Sequence, residues 1–201
     1  ESRVAVNQAI LLSEVVMPQW RQGLTKSLHQ TRSMPESRYF QLATVDGSGV
    51  PYCRTVVFRG ITDDNQLVVI SDTRSDKYDQ LGQNPHSQVC WYFSKTREQY
   101  RFSCTATIKT LHQDADLVTQ HWNKLSDAGK KQFLWGEPGT PRNDGSALQV
   151  EGDFGVVPPH FCVIMLAIDS VDYLNLRGNP QSREWHQKDG NGNWVSQSLI
   201  P

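Results

Sequence analysis

Two segments of the sequence place cationic and hydroxyl side chains where a phosphate group could bind. The first is Arg54-Thr55-Val56-Val57-Phe58-Arg59, whose β-branched and aromatic residues favour a strand. The second is Ser71-Asp72-Thr73-Arg74-Ser75-Asp76-Lys77, which follows one turn and one further strand-like run. We expect Arg54, Ser75 and Lys77 to donate hydrogen bonds to a phosphomonoester, helped by a helix that begins near Ser75. The alternative is that these are ordinary solvated charges at strand ends.

The first segment also offers contacts for a flat ring. The backbone N–H and C=O groups from Thr55 to Phe58 can reach the polar edge of a heterocycle, and their apolar side chains can pack against its rings. Arg54 and Arg59 are separated by an odd number of residues, so a regular strand would point them to opposite faces. The two arginines therefore need not bind the same group.

Strands make up most of the elements that must position these residues. Period-two patterns and turn residues predict strands over 39–45, 51–59, 66–71, 87–94, 99–110 and 160–176, then a hairpin of 183–187 with 194–197. Short turns connect most of them, and a closed barrel would remove the exposed sheet edges. The predicted fold class is mainly β, an antiparallel barrel with flanking helices.

Helical spacing of apolar residues appears in three places. The patterns predict a helix over 7–17, a second one that begins at Pro18, and a helical region over 111–133 with a new cap at Ser126. Ser75 is expected to cap a further short helix. Residues 136–159 are rich in Gly, Pro, Asn and Asp, which indicates a long loop of the kind that often lines a site.

Composition limits the classes of function. The 201 residues are 37% hydrophobic and 20% charged, enough for one domain over 1–201. A formal net charge of −1 argues against a dedicated nucleic-acid binder, and neither a membrane span nor a signal peptide is evident. Cys53, Cys90, Cys104 and Cys162 are spread singly, so we expect reduced, buried thiols rather than a metal site. The chain is expected to act in the cytoplasm on a small molecule.

The order of several motifs resembles a known family. Besides the two cationic segments, these are Trp91-Tyr92-Phe93, Glu98-Gln99-Tyr100-Arg101, the segment from Phe133 to Arg142, and Leu174-Asn175-Leu176-Arg177. In this order they resemble the pyridoxamine 5′-phosphate oxidase-like, FMN-binding split-barrel proteins, and most closely the Alr4036-type branch.

The resemblance implies an antiparallel split β-barrel, FMN as the cofactor, and a homodimer with FMN at the interface. It implies oxidoreductase activity on a small, anionic substrate. The cofactor-binding residues carried over are Arg54, Thr55, Val56, Val57, Phe58, Arg59, Ser71, Asp72, Arg74, Ser75, Lys77 and Gln99. Arg142 and Arg183 are the substrate-binding candidates; no catalytic side chain and no metal ligand are implied.

The chain departs from the oxidase pattern in three places. Arg59 stands where the oxidases usually have lysine, and Asp76 stands where they have arginine. The stretch from Gly178 to Arg183 lacks the histidine of the oxidases' Arg-Leu-His segment. The resemblance therefore leaves open whether pyridoxine phosphate is turned over. A non-catalytic FMN-binding or flavin-carrier protein is the alternative, and haem or a deazaflavin is a further possible ligand.

Overall fold

The computed structural model describes residues 16–201, which form eight strands and four α-helices. The strands are β1 (Tyr39–Val45), β2 (Pro51–Val57), β3 (Gln66–Asp72), β4 (His86–Phe93), β5 (Glu98–Thr110), β6 (Phe161–Asn175), β7 (Ser182–Lys188) and β8 (Trp194–Leu199). The helices are α1 (Gln19–Gln30), α2 (Asp76–Gln83), α3 (Ala115–Asn123) and α4 (Asp127–Gln132). No helix in this part of the chain is both long and apolar enough to cross a bilayer.

All eight strands belong to one antiparallel sheet that divides at β6. The main path runs β2-β1-β4-β5-β6-β7-β8, and β3 pairs with β6 outside that path. The first half of β6 pairs with β3, from Phe161 to Ala167, and the second half pairs with β7, from Ser170 to Asn175. Beyond β2, Arg59 N donates to Val68 O at 2.9 Å and Val68 N to Gly60 O at 2.9 Å. These bonds join β3 to the chain leaving β2, so the strands close into a barrel.

Apolar side chains fill the barrel and form a second core outside it. Inside, Phe40, Trp91, Phe102 and Ile164 are fully buried or nearly so. The second core lies between the outer face of β3 and β6 and helix α3, and it contains Val68, Val118, Trp122, Phe161, Val163 and Met165. Because β6 contributes to both cores, it is apolar along nearly its whole first half, as expected for a strand covered on two faces.

The structure confirms the predicted fold class and most of the predicted elements, with three differences. β2 ends at Val57, because the chain turns at Gly60 (φ 138°) to pair with β3. Cys53 is exposed rather than buried, although all four thiols are free. Ser75 precedes α2, but its hydroxyl does not cap the helix. The helix predicted over 7–17 lies outside the described residues, apart from 16 and 17, which are not helical.

We predict that Ile164→Ala lowers the free energy of unfolding by about 2–5 kcal/mol, because it leaves a cavity where β6 contacts both β3 and β5. Thr107→Ala, at an exposed position of the neighbouring strand β5, is the control and should cost less than about 1 kcal/mol. Urea unfolding followed by circular dichroism measures both. Equal effects of the two substitutions would contradict the described packing.

Candidate functional site

Four of the predicted residues come together where β2, β3 and α2 meet. Ser71 is the next-to-last residue of β3, and Lys77 lies in the first turn of α2. Lys77 Nζ donates to Ser71 Oγ at 3.0 Å. The hydroxyls of Ser71 and Ser75 are 3.2 Å apart, and Ser75 Oγ also donates to the Asp72 carbonyl at 2.7 Å. The positive charge of Arg54 lies near enough to lower the pKa of Lys77. We call Arg54, Ser71, Ser75 and Lys77 the phosphate cluster.

The side chain of Arg54 is held in place by two neighbouring elements. Its Nη1 donates to Thr44 Oγ1 at 2.6 Å and to the Leu42 carbonyl at 3.3 Å, both on β1. Its Nη2 donates to Gln80 Oε1 on α2 at 2.9 Å, and Thr44 Oγ1 donates to the same oxygen at 2.6 Å. The guanidinium is thus oriented before any ligand binds, which reduces the entropy cost of binding.

Burial makes the charged forms of the phosphate cluster less favourable. Burial lowers the pKa of Lys77 below 10.5, and repulsion from Arg54 lowers it further. The pKa of Arg54 is also lowered by burial, although a guanidinium stays protonated at neutral pH. Two cations are therefore kept close together with no carboxylate hydrogen-bonded to either of them among the described residues. A dianion such as a phosphomonoester would favour the charged form of Lys77.

Asp72 and Arg74 form a separate ion pair beside the phosphate cluster. Arg74 Nη2 lies 2.8 Å from Asp72 Oδ2, and the same nitrogen donates to the Trp135 carbonyl at 3.3 Å. Burial alone would raise the pKa of Asp72, but the hydrogen bonds from Arg74 outweigh it and the pKa lies below its ordinary value. His160 Nε2 lies 2.5 Å from the Phe133 carbonyl. The charge of Arg74 is therefore matched by Asp72, and Arg74 and His160 hold the segment that follows α4.

The predicted ring-binding strand presents different surfaces along its length. Val56 and Phe58 pack against the barrel core, with the rings of Phe58 and Trp91 4.8 Å apart. Thr55 is exposed and accepts a hydrogen bond from Gln41, and Val57 is half-buried. Arg59 lies after the strand, and its charge, after burial and Lys124, contributes to lowering the pKa of His121. β2 ends before Arg59, so alternation along the strand does not set the direction of the Arg59 side chain relative to that of Arg54.

Gln99 lies on the outer face of the sheet, away from the phosphate cluster. It is opposite Tyr92 in the β4–β5 ladder and accepts a hydrogen bond from Cys90 Sγ at 3.7 Å. Three strand spacings separate β2 from β5 in the order β2-β1-β4-β5, which is about 14 Å. Within one chain, Gln99 and Arg54 are therefore not side by side.

The outer face also holds an ion cluster that includes one substrate-binding candidate. Asp172 on β6 accepts hydrogen bonds from Arg183 at 2.9 and 2.7 Å and also pairs with Arg101. These contacts lower the pKa of Asp172 below its ordinary value, and the hydrogen bond from Arg183 has the largest effect. The cluster adjoins a groove of about 390 Å³ that Cys53, Trp185 and Arg101 help to line. Arg142 is exposed in the loop after α4, outside both clusters.

Sequence reasoning missed the residues that orient the predicted ones. Thr44 and Gln80 hold Arg54, and Asp172 holds Arg183. Thr44 had a usable signal, because pairing of β1 with β2 places it two residues from the partner of Arg54. Gln80 and Asp172 had none, because their contacts join elements whose relative placement depends on the whole barrel.

The chain is similar to known proteins of one family. Residues 17–110 match the family model described as pyridoxamine 5′-phosphate oxidase, FMN-binding domain. The chain is 34% identical over 191 residues to pyridoxine/pyridoxamine 5′-phosphate oxidase 2 of Arabidopsis thaliana, covering 90% of this chain and 96% of that protein. A pyridoxamine 5′-phosphate oxidase-related, FMN-binding protein from Nostoc punctiforme PCC 73102 has a crystal structure with a TM-score of 0.86, 39% identity, and coverage of 92% and 99%.

A more distant structure has the same fold. PhzG from Burkholderia lata 383 superposes with a TM-score of 0.80 at 18% identity, covering 93% of this chain and 95% of that one. The chain thus has the FMN-binding split-barrel architecture. It belongs to the pyridoxamine 5′-phosphate oxidase family, and the matching family model confirms FMN as the expected cofactor.

The donors present fit the phosphate of FMN. The phosphate cluster offers two cations and two hydroxyls on rigid elements, and it lies within the segment that the family model matches. Anions bind where such donors converge. Arg142 and Arg183 lie outside that segment.

We predict that Lys77→Met stabilises the FMN-free protein at neutral pH by about 0.5–2 kcal/mol, because it removes a half-buried charge that lies beside Arg54. Between the lowered folded-state pKa of Lys77 and 10.5, the unfolded chain binds a proton that the folded chain has released. Wild-type stability therefore rises with pH across that window, and the advantage of the variant shrinks.

Urea unfolding of the FMN-free protein at several pH values measures this difference. Lys131→Met, at an exposed position of α4, is the control and should leave stability unchanged within about 0.5 kcal/mol. A destabilised Lys77→Met protein would show that the Lys77 ammonium stabilises the fold even without a ligand.

Proposed function

We propose that the protein is an FMN-dependent oxidoreductase that acts on a small anionic substrate, and that the phosphate cluster binds the FMN phosphate. The observation on which the proposal depends is the oriented, partly buried pair of cations, Arg54 and Lys77, together with two hydroxyls. Burial opposes both charged forms and the charge of Arg54 also opposes that of Lys77, while Asp72 and Asp76 offset only part of this effect on Lys77, so an anion would stabilise the pair. The cofactor of this family provides one.

Each residue has a distinct role in this proposal. Arg54, oriented by Thr44 and Gln80, and Lys77 neutralise the phosphate charge, while Ser71 and Ser75 hydrogen-bond to its oxygens. The backbone from Thr55 to Phe58 contacts the flavin. FMN supplies the electron-transfer chemistry, so the protein needs to bind, orient and shield rather than provide a nucleophile. Asp72, Arg74 and Arg59 act around this site, by fixing the loop or by adding positive charge.

A second copy of the chain is needed to bring Gln99 into the same site. Gln99 is about 14 Å from β2 across the sheet of one chain, yet it lies on an outer face with exposed Tyr39 and Tyr92. Packing two such faces together buries these aromatic residues and brings Gln99 of one copy toward the phosphate cluster of the other. We therefore propose a homodimer with FMN at the interface, in the cytoplasm.

The outer-face ion cluster is the proposed substrate end of the site. Arg101 and Arg183 share a single carboxylate, Asp172, so the cluster retains a net positive charge. Asp172 fixes the direction of the Arg183 guanidinium, which suits it to bind a carboxylate or phosphate of the substrate. Arg142, on the exposed loop, is proposed to approach the same anion from outside.

We predict that Arg54→Ala weakens FMN binding by about 1.5–3 kcal/mol, the range for a hydrogen bond to a charged group. Isothermal titration of FMN into the FMN-free protein measures the change. Arg32→Ala, at an exposed residue just after α1, is the matched control and should bind FMN normally. Unchanged FMN affinity in Arg54→Ala, with the fold intact, would place the phosphate elsewhere.

Turnover distinguishes an enzyme from the alternative, a flavin-binding or flavin-carrier protein without activity. Under anaerobic conditions, we expect at least one small anionic amine or alcohol, with pyridoxamine 5′-phosphate tested first, to bleach the flavin absorbance in stopped-flow measurements. The Arg183→Gln variant should need a higher concentration of the same substrate, because an anion contact is lost. Failure of every such compound and of nicotinamide cofactors to reduce bound FMN would favour the carrier.

A further inference from the structure

A second pocket lies on the other face of β5, apart from the proposed flavin site. It has a volume of about 320 Å³ and is bounded by α1, the turn between β4 and β5, and the end of β6. Glu98 lines this pocket, whereas the next residue, Gln99, points to the outer face, because side chains alternate along a strand. We call it the α1 pocket. The oxidoreductase proposal does not use it.

The inner wall of the α1 pocket is a fixed hydrogen-bond network. Glu98 Oε1 accepts from Ser27 Oγ at 3.0 Å, and Glu98 Oε2 accepts from Tyr173 OH at 2.5 Å. The Ser27 hydroxyl also lies 2.9 Å from the buried Tyr100 hydroxyl. A Cβ added at Gly23 would lie 3.2 Å from Tyr100 OH, so glycine allows α1 to approach this network closely. The Glu98 carboxylate is therefore held in one orientation and presents remaining acceptor sites.

A buried hydroxyl in the wall of the α1 pocket has no partner. Thr96 is 8% exposed, and its Oγ1 makes no hydrogen bond to any described residue. Leaving a buried hydroxyl without a partner costs free energy, and native proteins seldom do so without a reason. Because less than 1 Å² of Oγ1 is accessible, the Thr96 side chain must rotate toward the pocket before a ligand hydroxyl can become its missing partner.

Two cations stand at the entrance of the pocket. Lys26 on α1 forms no ion pair with another described residue, and Arg177 uses Nη2 to donate to the Lys95 carbonyl at 2.6 Å, leaving other donors free. Lys95 Nζ donates to the Gln30 carbonyl at 3.0 Å, which covers the negative C-terminal end of α1. The entrance is therefore positive, while the interior contains the Glu98 carboxylate.

We propose that the α1 pocket binds a small hydroxylated organic anion. The anionic group, a phosphate or a carboxylate, lies at the entrance between Lys26 and Arg177. Its hydroxyl groups reach inward to Glu98 and, after the Thr96 side chain rotates, to Thr96, because the Glu98 carboxylate repels an anion but accepts hydrogen bonds from a hydroxyl. The proposal requires no electron transfer and no contact with the flavin.

Isothermal titration of glycerol 3-phosphate and of glycerate into the FMN-saturated protein tests this proposal. Saturation with FMN keeps the phosphate cluster occupied, and the two compounds distinguish a phosphate from a carboxylate source. We expect saturable binding of at least one of them. Lys26→Gln should weaken that binding about tenfold, since it removes a charged donor. Lys131→Gln, on exposed α4, is the control and should bind like the wild type.

Thr96→Val separates a ligand contact from a structural role. Because the hydroxyl has no partner in the free protein, the variant should melt at the same temperature or higher, yet bind the ligand more weakly. Absence of saturable binding of either compound would overturn the proposal. Binding that stays unchanged in both Lys26→Gln and Thr96→Val would overturn it as well. Since Lys26 is an exposed helix residue, its variant tests the site even if Thr96→Val folds poorly.

Discussion

The two-sided pairing of β6 is the constraint on which the rest of the structure depends. β6 pairs with β5 along nearly all its length, while its other edge is shared between β3 in the first half and β7 in the second. A strand cannot pair with two others at the same edge positions, so the sheet must divide there. Beside the first half of β6, β3 closes the barrel. Beside the second half, β7 and β8 extend the sheet. The positions of the phosphate cluster and of the outer-face ion cluster both follow from this division.

In the phosphate cluster, the barrel and α2 hold two cations near each other although their charges repel. β3 ends against the first half of β6, which fixes Ser71 and brings the start of α2 beside β2. Lys77 and Arg54 are thereby held together in a partly buried place, where burial and the charge of Arg54 lower the pKa of Lys77 more than the carboxylates of Asp72 and Asp76 raise it. Without a ligand, such a pair does not stabilise the fold. The pair destabilises the protein little compared with the stabilisation that barrel packing provides. Binding of a phosphate removes this destabilisation, because it neutralises both charges.

The sequence predicted local structure well because alternation and turn residues act over short distances. β1 begins and ends where its pattern predicts, and the structure places Arg54, Ser75 and Lys77 near one another. The orientation of Arg54 was not predictable, since Gln80 reaches it only after α2 has docked on the barrel. Arg74 was predicted to be one of the cofactor-binding residues. Whether its charge is available to a phosphate depends on Asp72, two residues earlier in the chain. In the structure the two side chains turn toward each other.

Alternation along β5 gives one strand two chemically different faces. Gln99 and Arg101 point outward to the proposed interface, whereas Glu98 and Tyr100 point toward α1. The inward pair is fixed by Ser27 and Tyr173, so the backbone that carries Gln99 is held from behind by hydrogen bonds as well as by the sheet. The proposed contact of Gln99 with a flavin across the interface requires such support, because a movement of about one ångström would break a hydrogen bond. The network at Glu98 therefore serves the outer face even though none of its side chains reaches that face.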